Sequence, residues 1–342
     1  MYKIKAILDE FPIDVESLRK LNIRLGEGST IYKVENSWLM PPSENLGEVY
    51  LIDSTAGATI ACHPHIVGEE LRMLSLKVAK IFVKALASFE LLEANKMALM
   101  HILRAGTAYM VGDALPFTPS LINIRTRYIQ NGYRDHSNAL SDLEVSYMEH
   151  SGEIENATTI LIPDTFATGR SSEAALSHIM DYGYNPSKVI LYGFISIPAL
   201  IRMSKICHEN DIELISFAIC DLTQLSQNNY DMCIYGPDES RYHESGEYKT
   251  LGSIIGAETL RRILPEYIPG LDQPGDWSER QDELFNGYEE EKGDIRGHLQ
   301  KTIRIIENLR CINQEKAWYQ DYHVNATINE LNKLYAKLKE LK

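Results

Sequence analysis

Between residues 97 and 220 the chain alternates short apolar runs with segments of helical length, and this alternation restricts its fold more than any other feature. The runs are 97–103, 121–124, 158–162, 189–197 and 212–220. Helix-like segments at 171–182 and 198–209 separate the last three, with Asn185-Pro186 as punctuation. An apolar run too short for a helix, with no polar alternation, reads as a strand buried on both faces. Such strands joined by helices make βαβ units and a parallel sheet, with right-handed crossovers. The spacing predicts an α/β fold in which helices flank a parallel sheet.

The rest of the chain is organised around that centre. Residues 32–34 and 49–52 are candidate strands in an N-terminal extension of mixed structure, residues 1–60. Ile66, Leu71, Leu74, Val78, Ile81, Phe82 and Leu86 recur at helical spacing without a proline, so 66–97 holds one or two helices. The main domain is expected over 61–290, with an inserted flap at 228–262 where the chain turns polar. Residues 250–264 read as a helix, and 268–275, with Pro269, Gly270, Pro274 and Gly275, as a shaped loop. A helical C-terminal extension covers 291–342. One of its stripes is Leu299, Ile303, Ile306 and Leu309; the other is Ile328, Leu331, Leu334 or Tyr335, Leu338 and Leu341. The second is expected to dock on its own domain rather than on a partner helix.

Composition excludes several classes. With 34 Lys plus Arg against 48 Asp plus Glu the net charge is −14, which opposes nucleic-acid binding by bulk charge but allows a local basic pocket. An apolar fraction of 44% is enough for a packed core. No run approaches a membrane span, and Met1 to Glu10 does not resemble a signal peptide. Five scattered cysteines read as reduced thiols, so a cytoplasmic protein is expected. Cys62-His63-Pro64-His65 invites a zinc reading, but no second Cys/His pair stands at finger spacing, and no metal site is expected there. No nucleophile elbow supports a hydrolase triad.

The string Thr158-Thr159-Ile160-Leu161-Ile162-Pro163-Asp164-Thr165-Phe166-Ala167-Thr168-Gly169-Arg170-Ser171 carries the most chemistry. An acid at the carboxyl end of a buried strand lies where ligands bind in open α/β sheets, and its carboxylate can accept hydrogen bonds from sugar hydroxyls. The small residues of 167–171 let backbone N–H groups approach a phosphate. The helix that follows adds unpaired N–H groups and a favourable dipole. Thr168 and Ser171 add hydroxyl donors.

This string resembles the phosphoribosyl diphosphate (PRPP) loop of type I phosphoribosyltransferases. That loop has two acids, two variable residues, a small residue, Thr-Gly, and Gly-Ser or Gly-Thr. Here the acid pair falls on Pro163 and Asp164, so one acid is missing, and Arg170 replaces the last glycine. The resemblance gives Asp164 to the ribose, with Thr165 beside it, and Ala167, Thr168, Gly169, Arg170 and Ser171 to the 5′-phosphate. Ile102-Leu103-Arg104-Ala105-Gly106 looks like the Leu-Arg-Ala-Gly diphosphate loop of the uracil phosphoribosyltransferases. Arg104, Ala105 and Gly106 would then hold the diphosphate, since a guanidinium can grip two of its oxygens. Tyr267-Ile268-Pro269-Gly270-Leu271-Asp272-Gln273-Pro274-Gly275-Asp276 resembles the loop by which that family reads the pyrimidine. It gives Tyr267, Ile268, Gly270, Gln273, Gly275 and Asp276 to the base. Asp272, Gln273 and Trp277 depart from the family pattern.

The resemblance implies a type I phosphoribosyltransferase-like fold with a flap or hood. It also implies transfer of a 5-phosphoribosyl group from Mg2+-bound PRPP to a pyrimidine or related flat heterocycle, with Arg104 and Asp164 as the catalytic pair. The expected partners are PRPP and a nucleobase-like molecule, with neither nucleic acid nor membrane, in a homodimer. Other readings stay open: a uracil enzyme with drifted motifs, a non-catalytic PRPP or nucleotide sensor, or a nucleotide hydrolase or phosphorylase. One of Arg125, Arg127 and Arg134 is expected near the diphosphate. Tyr235, Tyr242, His243 and Tyr248 of the flap either stack on a ring or pack the insertion onto the core.

Overall fold

The expected apolar runs all become strands of one sheet. A computed structural model describes residues 4–26, 28–41, 46–128, 143–152, 154–240 and 248–341. Its strands are β1 (Leu18–Lys20), β2 (Ser29–Val34), β3 (Glu48–Ser54), β4 (Met97–Ile102), β5 (Ser120–Tyr128), β6 (Leu143–Ser151), β7 (Thr159–Phe166), β8 (Lys188–Ser196) and β9 (Glu213–Thr223). Their order is β1-β2-β3-β9-β8-β7-β4-β5-β6. From β3 through β9, β8, β7 and β4 to β5 every pairing is parallel. The edges β1, β2 and β6 run antiparallel. Residues 1–60 therefore supply three strands, and β3 pairs directly with β9.

The helices are α1 (Lys5–Glu10), α2 (Thr55–Cys62), α3 (Glu69–Ser88), α4 (Val111–Ala114), α5 (Arg170–Asp181), α6 (Ile197–Glu209), α7 (Ala257–Ile263), α8 (Ile295–Asn313) and α9 (Asp321–Glu340). They cover both faces of the sheet, and β8 shows how. Ile190, Tyr192 and Phe194 point into one core with Phe82 and Phe217. Val189, Leu191 and Ile195 point into the other with Leu176, Ile179 and Met203. A strand buried on both faces has no polar side to write an alternation.

Two expectations change. Residues 250–264 are not one helix: Ser253–Ile255 pairs antiparallel with β9, and only α7 is helical. Ser253, Ile254 and Ile255 are all fully buried, and the β-branched pair suits a strand better than a helix turn. The 66–97 region, expected to hold one or two helices, holds one long helix, α3. In α9 the buried face is His323, Ala326, Thr327, Glu330, Leu331 and Leu334, whereas Ile328, Tyr335 and Leu341 face solvent. The α8 stripe docks on the domain, with Leu299, Ile303, Ile306 and Leu309 buried. Among the described residues no helix is long and apolar enough to cross a membrane.

One position fixes the strand end that matters most. Asp164 of β7 lies opposite Gly193 of β8. Gly193 has φ +148°, and a Cβ there would sit 1.9 Å from the Asp164 carbonyl oxygen. Gly193→Ala is expected to destabilise the fold by about 3 kcal/mol or more, through strain and overpacking in a central strand. Urea unfolding checks this.

Candidate functional site

At the carboxyl end of β7 the chain leaves the sheet through a loop whose carbonyls face the protein. The Ala167 carbonyl accepts from the Ser196 hydroxyl, which also caps α6 by accepting from Ala199 N–H at 3.1 Å. The Thr168 carbonyl accepts from Arg202 Nε at 2.8 Å, and Arg202 is braced by Glu173 at 2.7 Å. In a planar trans peptide the N–H points opposite the carbonyl. The N–H groups of Thr168 and Gly169 therefore point away from α6, beside the first turn of α5, where Arg170 N–H lies 3.4 Å from the Thr168 hydroxyl. Gly169 makes the turn with φ +74°, and a Cβ there would lie 3.1 Å from the Ala199 backbone. Arg170 and Ser171 open the helix, half-buried.

Asp164 is buried at 6% exposure. Burial pushes its carboxyl up to about 7, against a hydrogen bond from Thr165 N–H. Thr165 Oγ1 is 2.6 Å from the phenol of Tyr109, a residue of the 3-10 turn Ala105–Tyr109 after β4. Pro163, where the resembled loop has its other acid, lies beyond the β4–β7 ladder, which ends at Leu99 and Leu161. Its missing N–H therefore costs β4 no hydrogen bond.

Arg104 follows β4 and is clamped by two carboxylates, Glu279 and Glu291. Burial opposes its charge, and these two partners outweigh burial. Arg125 joins the same group by donating to the Asn286 carbonyl at 3.3 Å, while Asn286 donates to Glu291 at 2.8 Å. Arg127 instead pairs with Glu144 on the exposed sheet edge, and Arg134 lies outside the described residues. Ala105 is half-buried, and Gly106 is packed between strands: a Cβ there would lie 3.0 Å from His101 Cα and from the Pro163 carbonyl.

The 267–276 loop is more enclosed than its composition suggests. Tyr267 is fully buried, and its phenol donates to the Leu271 carbonyl at 2.6 Å and accepts from Ile234 N–H at 2.9 Å. Ile268 is 1% exposed. The N–H of Gly270 is taken by the Tyr235 carbonyl and that of Gln273 by the Met232 carbonyl. Gly275 N–H donates to Asp272 at 3.0 Å, and Asp276 pairs with Lys301 of α8 at 2.7 Å. The C-terminal extension packs on this loop, with Asn313 Nδ2 donating to the Pro269 carbonyl at 3.0 Å. Two buried polar atoms here, Gln273 Oε1 and Trp277 Nε1, have no protein partner among the described residues. Tyr235 is a core residue against Phe11 and Tyr267; Tyr242 and His243 lie outside the described residues.

The structure brings the three segments together through Tyr109 and Glu279, which sequence reasoning missed, and Trp277, which it noted only as a departure from the family pattern. Trp277 stacks on Tyr109 with centroids 4.6 Å apart, and Tyr109 reaches Thr165. Glu279 then reaches back to Arg104. Asp221, at the end of β9, is buried and pushed up to about 7, with the Gln273 amide 3.5 Å away. Only Ser196 left a legible signal, as a Ser-Ile-Pro helix start. Two clefts lie elsewhere. One of about 590 Å³ is lined by Glu173, Ser177, Asn185 and Glu209, and one of about 310 Å³ lies beside His63 and His65.

No protein-family model and no curated protein matches the chain. Similar solved structures include adenine phosphoribosyltransferase from Trypanosoma brucei in complex with AMP, pyrophosphate and ribose-5-phosphate. It is 14% identical with a TM-score of 0.34, over 50% of this chain and 83% of that one. The hypoxanthine-guanine phosphoribosyltransferase of L. donovani is 14% identical with a TM-score of 0.26, over 55% of this chain and 97% of that one. A hypoxanthine phosphoribosyltransferase from Staphylococcus aureus is 10% identical with a TM-score of 0.25, over 45% of this chain and 65% of that one.

Proposed function

We propose that the chain binds 5-phosphoribosyl diphosphate across the carboxyl ends of β4 and β7 and transfers its phosphoribosyl group to a flat heterocyclic base. The observation that supports this reading is the loop after β7, whose Ala167 and Thr168 carbonyls are tied to α6 and its cap, which turns the following N–H groups to the opposite side, where they could receive an anion. A buried acid stands immediately before this loop. The 5′-phosphate would lie on residues 167–171, Asp164 would accept from ribose hydroxyls, and Arg104 would take the diphosphate. In the transfer the bond from the anomeric carbon to diphosphate breaks, diphosphate leaves with the electron pair, and a ring nitrogen bonds to the carbon. The protein's part is positioning and stabilising the leaving charge. Mg2+ belongs to the substrate as its diphosphate chelate, an ion that takes a few carboxylates and phosphate oxygens rather than a protein cage.

The acceptor is proposed to be a modified pyrimidine or pyridine-like ring. Gln273 Oε1 and Trp277 Nε1 offer an acceptor and a donor that lack protein partners. Diphosphate release from Mg2+-PRPP, screened across heterocycles, tests the reaction. Release with a non-uracil ring supports it; release with uracil alone returns the assignment to a uracil enzyme. Failure with every ring would favour the sensor.

Arg104 gives a separate expectation. Glu279 and Glu291 compete with diphosphate for its guanidinium. Arg104→Gln is expected to weaken inorganic diphosphate binding roughly 10- to 100-fold, and Glu279→Gln to strengthen it. Direct titration with diphosphate checks both signs.

A further inference from the structure

His63 and His65 stand on the turn between α2 and α3, and both imidazoles face one carboxylate, Glu330, from α9. Glu330 Oε2 is 3.0 Å from His63 Nδ1, and Oε1 is 2.6 Å from His65 Nδ1. One ligand atom from each of the three residues lies within 4.8 Å of the other two. We propose that these residues form a zinc-class divalent cation site that ties the α2–α3 turn to the C-terminal helix.

The donor set is two imidazole nitrogens and one carboxylate oxygen, which suits zinc and leaves a fourth tetrahedral position open. Zinc–ligand bonds of about 2 Å put neighbouring ligand atoms roughly 3.3 Å apart in a tetrahedron. The separations here, 2.6 and 3.0 Å to Glu330 and all within 4.8 Å, bracket that spacing. The second shell is also built. His63 presents its other nitrogen, Nε2, to Glu266 at 3.5 Å. A carboxylate on the far nitrogen of a ligating imidazole fixes its tautomer and raises its basicity.

The turn is held rigidly. The His63 carbonyl accepts from Arg280 Nη2 at 3.1 Å, and the Pro64 carbonyl lies 3.0 Å from His298 Nε2. Both imidazoles line the 310 Å³ cavity, together with Thr55, Thr59, Arg262, Glu266 and Lys333, which gives an ion an entry path and room for a water. Glu330, Glu266 and the Asp53 partner of Arg262 offset the two cations. Cys62-His63-Pro64-His65 invites a zinc reading that the sequence alone sets aside for want of a nearby second pair; the third ligand stands 267 residues after His63.

The test uses the full, untagged chain, freed of metal by chelation and titrated with Zn2+ and with Co2+. The expected result is a single ion per chain, with the intense visible bands of four-coordinate cobalt and a higher melting temperature with zinc. His65→Gln, at a partly exposed position, is expected to weaken zinc binding about 100-fold or more, and Glu266→Gln about 10-fold. Cys311→Ala, which removes the exposed thiol, should change nothing. Absence of binding to the folded chain, or binding that His65→Gln leaves intact, would overturn the proposal. So would binding that Cys311→Ala abolishes.

Discussion

Asp164→Asn is expected to weaken PRPP binding roughly 10- to 100-fold at pH 8 while making the unliganded fold more stable at that pH. Both effects come from one buried carboxyl. Burial raises it from 3.8 to about 7, so the folded chain holds its proton more tightly than the unfolded chain does. The resulting stability is fully present below pH 3.8 and is lost as pH rises to about 7. The loss is about 2–4 kcal/mol. Asparagine does not titrate, so the stability difference between variant and wild type should grow from pH 4 to 7 and then stay level.

The wild-type curve alone would hide this. Asp221 shifts in the same direction, while His101, His298 and His323 are held down to about 4, 4 and 3 by burial. Those imidazoles lose their contribution as pH falls below 6.5, so the two sets oppose each other across the acid range. A ribose hydroxyl favours the ionised carboxylate. Wild-type affinity for PRPP should therefore rise about tenfold between pH 6 and 8 through Asp164, and that component should vanish in the variant. Denaturant unfolding and ligand titration over the same pH series check both claims.

Arg280→Met is expected to destabilise the fold by about 3–5 kcal/mol, because it strands a set of buried carbonyls. Arg280 has no exposed surface. Its Nε and Nη2 donate to the Ile66 carbonyl at 3.1 and 3.0 Å, Nη1 to Pro274 at 2.9 Å, and Nη2 also to His63 at 3.1 Å. One side chain thus ties the α2–α3 turn to the 267–276 loop. Burial lowers its pKa only to about 10, so it stays charged near neutrality. Arg280→Lys should fail nearly as badly, since an ammonium cannot span the planar fork. A urea midpoint within about 1 kcal/mol of wild type for either variant would contradict this role.

The sheet was legible because its inner strands are buried on both faces, which writes mostly apolar runs at 158–162, 189–197 and 212–220. The turn after β7 was legible because phosphate-sized turns need small residues and a helix start. The edge strand β6 was not read: Leu143, Val145 and Tyr147 alternate with Glu144 and Ser146, but the run is short and closes on Glu149-His150-Ser151. Nor was the place of β3, whose pairing with β9 joins residues far apart in sequence. The site was readable in its separate segments but not in its assembly. Arg104 looked available until Glu279 and Glu291 folded onto it, and the 267–276 loop looked open until α8 covered it. Long-range pairs of this kind leave no local pattern to read.

The most direct test of the central claim is calorimetric titration of wild type and Asp164→Asn with Mg2+-PRPP at pH 8. The account predicts one saturable binding event in wild type that is weakened at least tenfold in the variant, with inorganic diphosphate competing for it. Wild-type chain that is folded and releases no binding heat would contradict it, as would equal affinity in the two proteins.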